Sequence, residues 1–136
     1  MGFELGLRRG VYIDISQETK ESDLPFTNEV IEHYQSFDLI YRSLCAVLYN
    51  YVPTSGHPGG SISSGRFVTS ILFEAMDYDM SNPDRQDADL ISYAAGHKAL
   101  GLYAMWALRN EICRIGAPEL LPENIHFQLR LEDLLG

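Results

Sequence analysis

Two histidines sit in similar local settings. His57 lies within Thr54-Ser55-Gly56-His57-Pro58-Gly59-Gly60-Ser61, and His97 follows Ala95-Gly96. In each case a glycine comes first and a helical pattern comes after. A helix start presents backbone N–H groups without intrahelical partners and the positive end of the helix dipole, which together suit phosphate oxygens. A neighbouring glycine lets a ligand approach the backbone, and an imidazole there can donate to a phosphate oxygen or exchange a proton near neutral pH. By type and spacing alone, the pair is compatible with an anion site. It is equally compatible with two turns that happen to carry histidine, which is the commoner origin of a lone Gly-His. His33 and His126 fall in helical patterns with polar neighbours and read as solvated side chains. No two histidines have the i, i+4 spacing of a helical metal site, so no metal ligand is assigned.

The elements that must position these residues can be read from the apolar spacing. A long helix is expected from an N-cap at Thr27 to just before Pro53. Val30, Tyr34, Phe37, Tyr41, Leu44, Leu48 and Tyr51 form one stripe on it. Ile31, Ile40, Cys45 and Val47 widen that stripe, so the helix is expected to be mostly buried. A second helix is expected after Ser63 or Ser64, with Phe67, Val68, Ile71, Leu72, Ala75 and Met76 on its apolar face. Tyr78 to Ala88 reads as a polar connection, and Asp89 to Ala94 as a short strand. Ala95-Gly96-His97 reads as a turn leading into a third helix, which is apolar on most sides through Leu108 and is expected to be capped at Gly116. A last helix is expected from about Pro118 to Leu135. Val11, Ile13 and Ile15 alternate with polar residues, as in a half-buried strand.

Bulk properties narrow the function classes. The chain of 136 residues is 46% hydrophobic, enough to pack a core. Its net charge of −9 makes it a poor non-specific partner for DNA or RNA, because phosphate neutralisation needs Lys and Arg. No apolar run is long enough to span a membrane, and Arg8 and Arg9 interrupt any signal-like N-terminal stretch. Cys45 and Cys113 lack CxxC spacing and read as free thiols, which fits a reducing cytoplasm.

The residues around both histidines resemble transketolases. Ser55-Gly56-His57-Pro58-Gly59-Gly60 is similar to the SGHPG motif near the start of that family. The family also carries an Asp eight residues ahead of the histidine of a later Gly-His pair, and Asp89 stands eight residues ahead of His97. Asn82-Pro83 and Leu102-Tyr103 resemble further landmarks on either side, so the likeness runs from about residue 28 onward. There are departures. Ala94-Ala95 stand where the family has Ser and often Asn or Lys, Leu90 to Tyr93 differ from its Arg-Phe-Val-Leu, and Lys98 follows His97 where a small residue is common. Ser61 to Arg66 are nearer to the GHPGGS-type loops of split, two-subunit transketolases.

The resemblance implies an α/β fold. The chain would be the front portion of a three-layer α/β/α domain that binds thiamine diphosphate, itself mostly helical with one or two short strands. Residues 1–25 would be an N-terminal extension and residues 26–136 an incomplete domain. His57 would lie near the thiazolium and substrate as the catalytic residue, handling protons on the donor hydroxyl. His97 would contact the diphosphate, with Gly56, Pro58, Gly59 and Gly96 shaping the two cofactor-binding loops. Asp89 would be structural. The implied activity is transfer of two-carbon ketol units between sugar phosphates.

The chain has no Gly-Asp-Gly metal motif and no second Gly-His-Pro. The Mg2+ or Ca2+ of the parent enzyme would therefore be held by residues outside this sequence, as would the activating glutamate. Alone, the chain is expected to bind cofactor weakly or not at all. It is also expected to expose apolar surface that the remaining transketolase domains or subunit, or a second copy in a homo-oligomer, would cover. Other thiamine-diphosphate enzymes, such as a deoxyxylulose-phosphate synthase or a pyruvate dehydrogenase component, remain alternatives, as does a non-catalytic interaction module. The proline after His57 favours the transketolase branch.

Overall fold

The computed structural model describes residues 26–52 and 56–135. The chain divides into two units, residues 1–33 and residues 34–136. Within the described part of the first unit, Thr27 caps a helix. Its side-chain oxygen accepts from the Val30 N–H (3.4 Å) and its carbonyl from the Ile31 N–H (3.1 Å).

Three helices carry the structure: α1 (Asn28–Tyr51), α2 (Pro58–Ser70) and α3 (Ala99–Gly116). In the second unit they meet in one core. Tyr41, Cys45, Leu48 and Tyr49 of α1 pack with Val68 of α2, Leu72 just beyond it, and Leu102, Ala104, Met105 and Leu108 of α3. Position 38 belongs to the same inner face of α1. The Asp38 carboxylate is buried there and accepts a hydrogen bond from Arg66 Nε of α2 (3.0 Å). Burial of the charge is tolerable because a guanidinium partner comes with it.

Helix α2 begins at Pro58, five residues ahead of the expected Ser63. Proline suits a first helical position, since its missing N–H is one that has no intrahelical acceptor in any case. The helix then runs into a single π turn over Ile71–Ala75, closed by the Met76 N–H donating to the Ile71 carbonyl (2.9 Å).

The expected α/β architecture is corrected here. Among the described residues there is no strand and no sheet, so the front portion of a three-layer α/β/α domain is not what this chain forms. The strand expected around Val11 to Ile15 lies outside the described residues. The segment 89–94 is described, and it is not a strand. Its alternation is real: Ile91 and Tyr93 pack against the helical core, while Leu90 is 95% exposed. A single extended segment lying on helices produces the same period-two pattern as a strand, but a ladder also needs a second backbone to bond with.

Two further expectations change. Residues 118–135 form three separate 3-10 turns, Pro118–Leu120, Ile125–Phe127 and Glu132–Leu134, instead of one helix. Pro122 cannot donate inside a helix, and the Asn124 side chain caps the turn by accepting from the His126 N–H (3.0 Å). The tail is tied to α3 where Asn110, 3% exposed, donates to the Leu129 carbonyl (3.0 Å). On α1, Ile40, Val47 and Tyr51 are exposed, so its buried stripe is narrower than the sequence pattern implies.

Candidate functional site

The two histidine turns adjoin. Gly56 has a φ of +93°, a left-handed value that L side chains rarely adopt. A Cβ built on it would lie 3.6 Å from the His97 carbonyl oxygen and 3.9 Å from the His97 Cβ. The first loop therefore passes close to the second turn, near enough that a side chain at position 56 would touch it. His57 is the N-cap of α2 in an extended conformation (φ −105°, ψ 136°), and its side chain makes no capping bond. Gly96 opens a 3-10 turn, Gly96–Lys98, that feeds directly into α3. Both imidazoles are exposed, and no ring contact or hydrogen bond joins them among the described residues.

A buried hydroxyl cluster holds this junction. The Tyr49 hydroxyl and Ser61 Oγ lie 2.6 Å apart. Tyr49 also reaches the His97 carbonyl (3.3 Å), and Ser61 reaches the Lys98 carbonyl (3.3 Å). Tyr41 donates to the Ser61 backbone carbonyl (3.2 Å). The C-terminal half of α1, through Tyr41 and Tyr49, is thus linked to the α2 start through Ser61 and to the α3 entry through residues 97 and 98. Burial pushes the Tyr41 phenol well above its ordinary range, and its hydrogen bond with Cys45 pushes it further; burial also raises the Cys45 thiol, which the same bond partly offsets. These two groups are proton-holding structural members and not nucleophiles.

Small residues make the approach possible. A Cβ on Gly101 would fall 2.4 Å from the Ser61 Cβ, so α3 can cross α2 here only without one. Gly65 is likewise covered by the Tyr41 ring, its hypothetical Cβ 2.5 Å from a ring carbon.

Of the residues expected from the sequence, Gly56 and His97 are brought close together. His57, Pro58 and Gly59 follow Gly56 into the first turn of α2. Gly59 and Gly96 have nothing within 4 Å of the space a side chain would fill, so their backbones are open to a ligand. At Gly59 that openness fits a diphosphate, which binds through backbone N–H groups; the Gly96 N–H is already donated to the Ala94 carbonyl (3.1 Å). Lys98 runs across the same helix start, its Cε 2.9 Å from a Cβ position on Gly60. His33 and His126 are exposed and away from both turns in sequence; His126 lines a separate groove of about 580 Å3 with Tyr103, Trp106 and Phe127. Asp89 is structural. Its carboxylate accepts from the Asp77 N–H (2.8 Å) and its own N–H donates to the Asp77 carbonyl (2.8 Å). Among the described residues, no group of three or more His, Cys, Asp or Glu side chains is arranged to hold a metal ion.

Tyr49, Ser61 and Gly101 are functional positions that the sequence pattern does not single out: Tyr49 lies among many apolar residues of α1, and Ser61 lies in a run of small residues at the start of α2.

Comparison with protein-family models, with curated proteins and with solved structures finds no match to this chain. Among the described residues, no helix is long and apolar enough to cross a membrane.

Proposed function

We propose that this chain is the diphosphate-gripping front segment of a transketolase-like enzyme that transfers two-carbon ketol units between sugar phosphates. The observation that supports the reading is the close approach of the Gly56 loop to the His97 turn. Two motifs separated by forty residues in sequence are neighbours in space, each at a helix entry. The functional reading does not depend on a sheet, of which there is none among the described residues; it depends on these two entries.

In this reading thiamine diphosphate supplies the thiazolium carbon at which the ketol unit is carried. The chain's own residues bind and orient. The open backbone of Gly59 at the α2 start and the His97 imidazole would hold the diphosphate, with Gly96 leaving room beside them. His57 stands beyond the α2 entry, where its imidazole can accept or return a proton on the donor hydroxyl. Lys98 supplies a positive charge at the α2 start, useful on a chain of net charge −9. Mg2+ or Ca2+ would be held by other parts of the parent enzyme.

Free thiols at Cys45 and Cys113 support a cytoplasmic location. The exposed Ile40, Val47 and Tyr51 on α1 support self-association or cover by the remaining transketolase domains. The same exposed positions also favour the second reading, a non-catalytic interaction module.

The test is a titration of the isotope-labelled chain with thiamine diphosphate and Mg2+, followed at the imidazole signals of all four histidines. His57 and His97 are expected to shift together with an affinity in the millimolar range, while His33 and His126 stay still. Thiamine without its diphosphate should move neither. Unmoved His57 and His97 signals would remove the cofactor reading and leave the interaction module. Micromolar affinity by calorimetry would show that the missing metal motif is dispensable.

A further inference from the structure

The hydroxyl cluster has two protons to distribute over three contacts. Tyr49 and Ser61 each carry one hydroxyl hydrogen. If Tyr49 donates to Ser61 across their 2.6 Å contact, Ser61 is free to donate to the Lys98 carbonyl. If Ser61 donates to Tyr49, Tyr49 is free to donate to the His97 carbonyl. Both arrangements are complete. Each places one donor on a carbonyl of the Gly96–Lys98 turn and leaves neither hydroxyl idle. Ser61 is 1% exposed and Tyr49 6%, so water does not readily compete for these contacts.

We propose that Tyr49 and Ser61 are positioning residues forming a two-way latch, which holds the His97 turn against the Gly56 loop whichever hydroxyl donates. This rests on the reading that the two turns serve one ligand. The latch acts through the backbone and touches no ligand itself. Its site is well suited to that work. Ser61 lies three residues into α2 from Pro58, so it moves with the helix entry that His57 caps. Lys98 is the last residue before α3, so its carbonyl moves with the other entry. Gly101 lets the two approach closely, and Tyr41 donates to the Ser61 carbonyl. The redundancy makes the relation of the turns tolerant of losing either hydroxyl singly but not of losing both.

The experiment uses the whole chain as wild type, Tyr49→Phe, Ser61→Ala and the double variant, observed by NMR. The two single variants force the remaining proton onto one carbonyl. In Tyr49→Phe the Lys98 carbonyl carbon should move downfield and that of His97 upfield; in Ser61→Ala the directions should reverse. Movement in the same direction in both variants, or none, overturns the latch. A residue that merely fills space would not give opposite signs. In the ligand-free wild type a nuclear Overhauser contact is expected between the Gly56 α-protons and the His97 β-protons. It should persist in both single variants and vanish in the double variant with the helices intact; its persistence in the double variant overturns the proposal. If the double variant does not fold, the reciprocal carbonyl shifts decide alone. Magnesium thiamine diphosphate is then titrated in. The folded double variant should bind about tenfold more weakly than wild type, the loss expected when a latch worth roughly one buried hydrogen bond is absent. Failure of wild type to respond to that ligand removes the functional reading, while the carbonyl shifts still decide the latch.

Discussion

The junction of the helix entries and the connection over residues 77–89 are both held by polar contacts, yet by different physics. At the junction the hydroxyls of Tyr41, Tyr49 and Ser61 are buried and meet carbonyls across a crossing that excludes any Cβ on Gly101. In the connection the contacts are ionic and exposed. Arg85 sits between Asp77 and Asp87 at 2.9 Å from each, and Asp79 binds the Ser81 N–H and hydroxyl. The Arg85 guanidinium is held in its charged form chiefly by the hydrogen bond to Asp77, and the Asp79 carboxyl is kept below its usual range by Ser81. Buried neutral contacts are insensitive to salt and costly to leave unmet; exposed ionic ones are screened and individually weak. The difference teaches where rigidity has been concentrated. It lies at the entries carrying the two histidines, while the acidic connection supplies an arginine-centred loop that only has to return the chain.

The contrast is open to attack at three places. The largest effect is expected from Gly101→Val, which drives a branched side chain into Ser61. Overpacking of this kind should cost about 3 kcal/mol or more in urea unfolding, since backbone and not a flexible chain end must yield. A smaller loss, about 1 kcal/mol, is expected for Asp89→Ala, which removes one carboxylate bond to the Asp77 N–H in an exposed setting. If Asp89→Ala proved as damaging as Gly101→Val, the two regions would not differ in kind. The smallest effect lies at the far end of α2, where Tyr34 bonds Glu74 in the π turn. Burial first, then that hydrogen bond, pushes the Tyr34 phenol up to about 12. A raised folded-state value favours the protonated fold, so this contribution is whole below the ordinary tyrosine value near 10 and is lost as pH rises toward 12. Unfolding followed across that window should show stability falling with pH, less steeply in Tyr34→Phe. The buried Tyr41 acts in the same direction and will account for part of the remaining slope.

Much of this was legible along the chain. The spacing of Tyr41, Leu44 and Leu48, the Thr27 cap and the apolar run from Leu100 to Leu108 marked two long helices, because helix periodicity and capping are local properties. The glycines flanking His57 and His97 marked backbone that had to stay open, and one of them, Gly56, has the left-handed φ that only glycine adopts readily. Other features depended on neighbours that no local pattern encodes. Whether Leu90 to Tyr93 became a strand turned on a partner backbone being present, and none is described. Whether Ile40 and Val47 were buried turned on how wide a face α2 and α3 could cover. Whether the two histidine turns met at all turned on Tyr49, Ser61 and Gly101, which stand twelve and forty residues apart along the chain. Periodicity reports which side of an element is apolar. Only the tertiary arrangement decides what lies against it, because contact between distant residues is a property of the packed chain and not of any stretch of it.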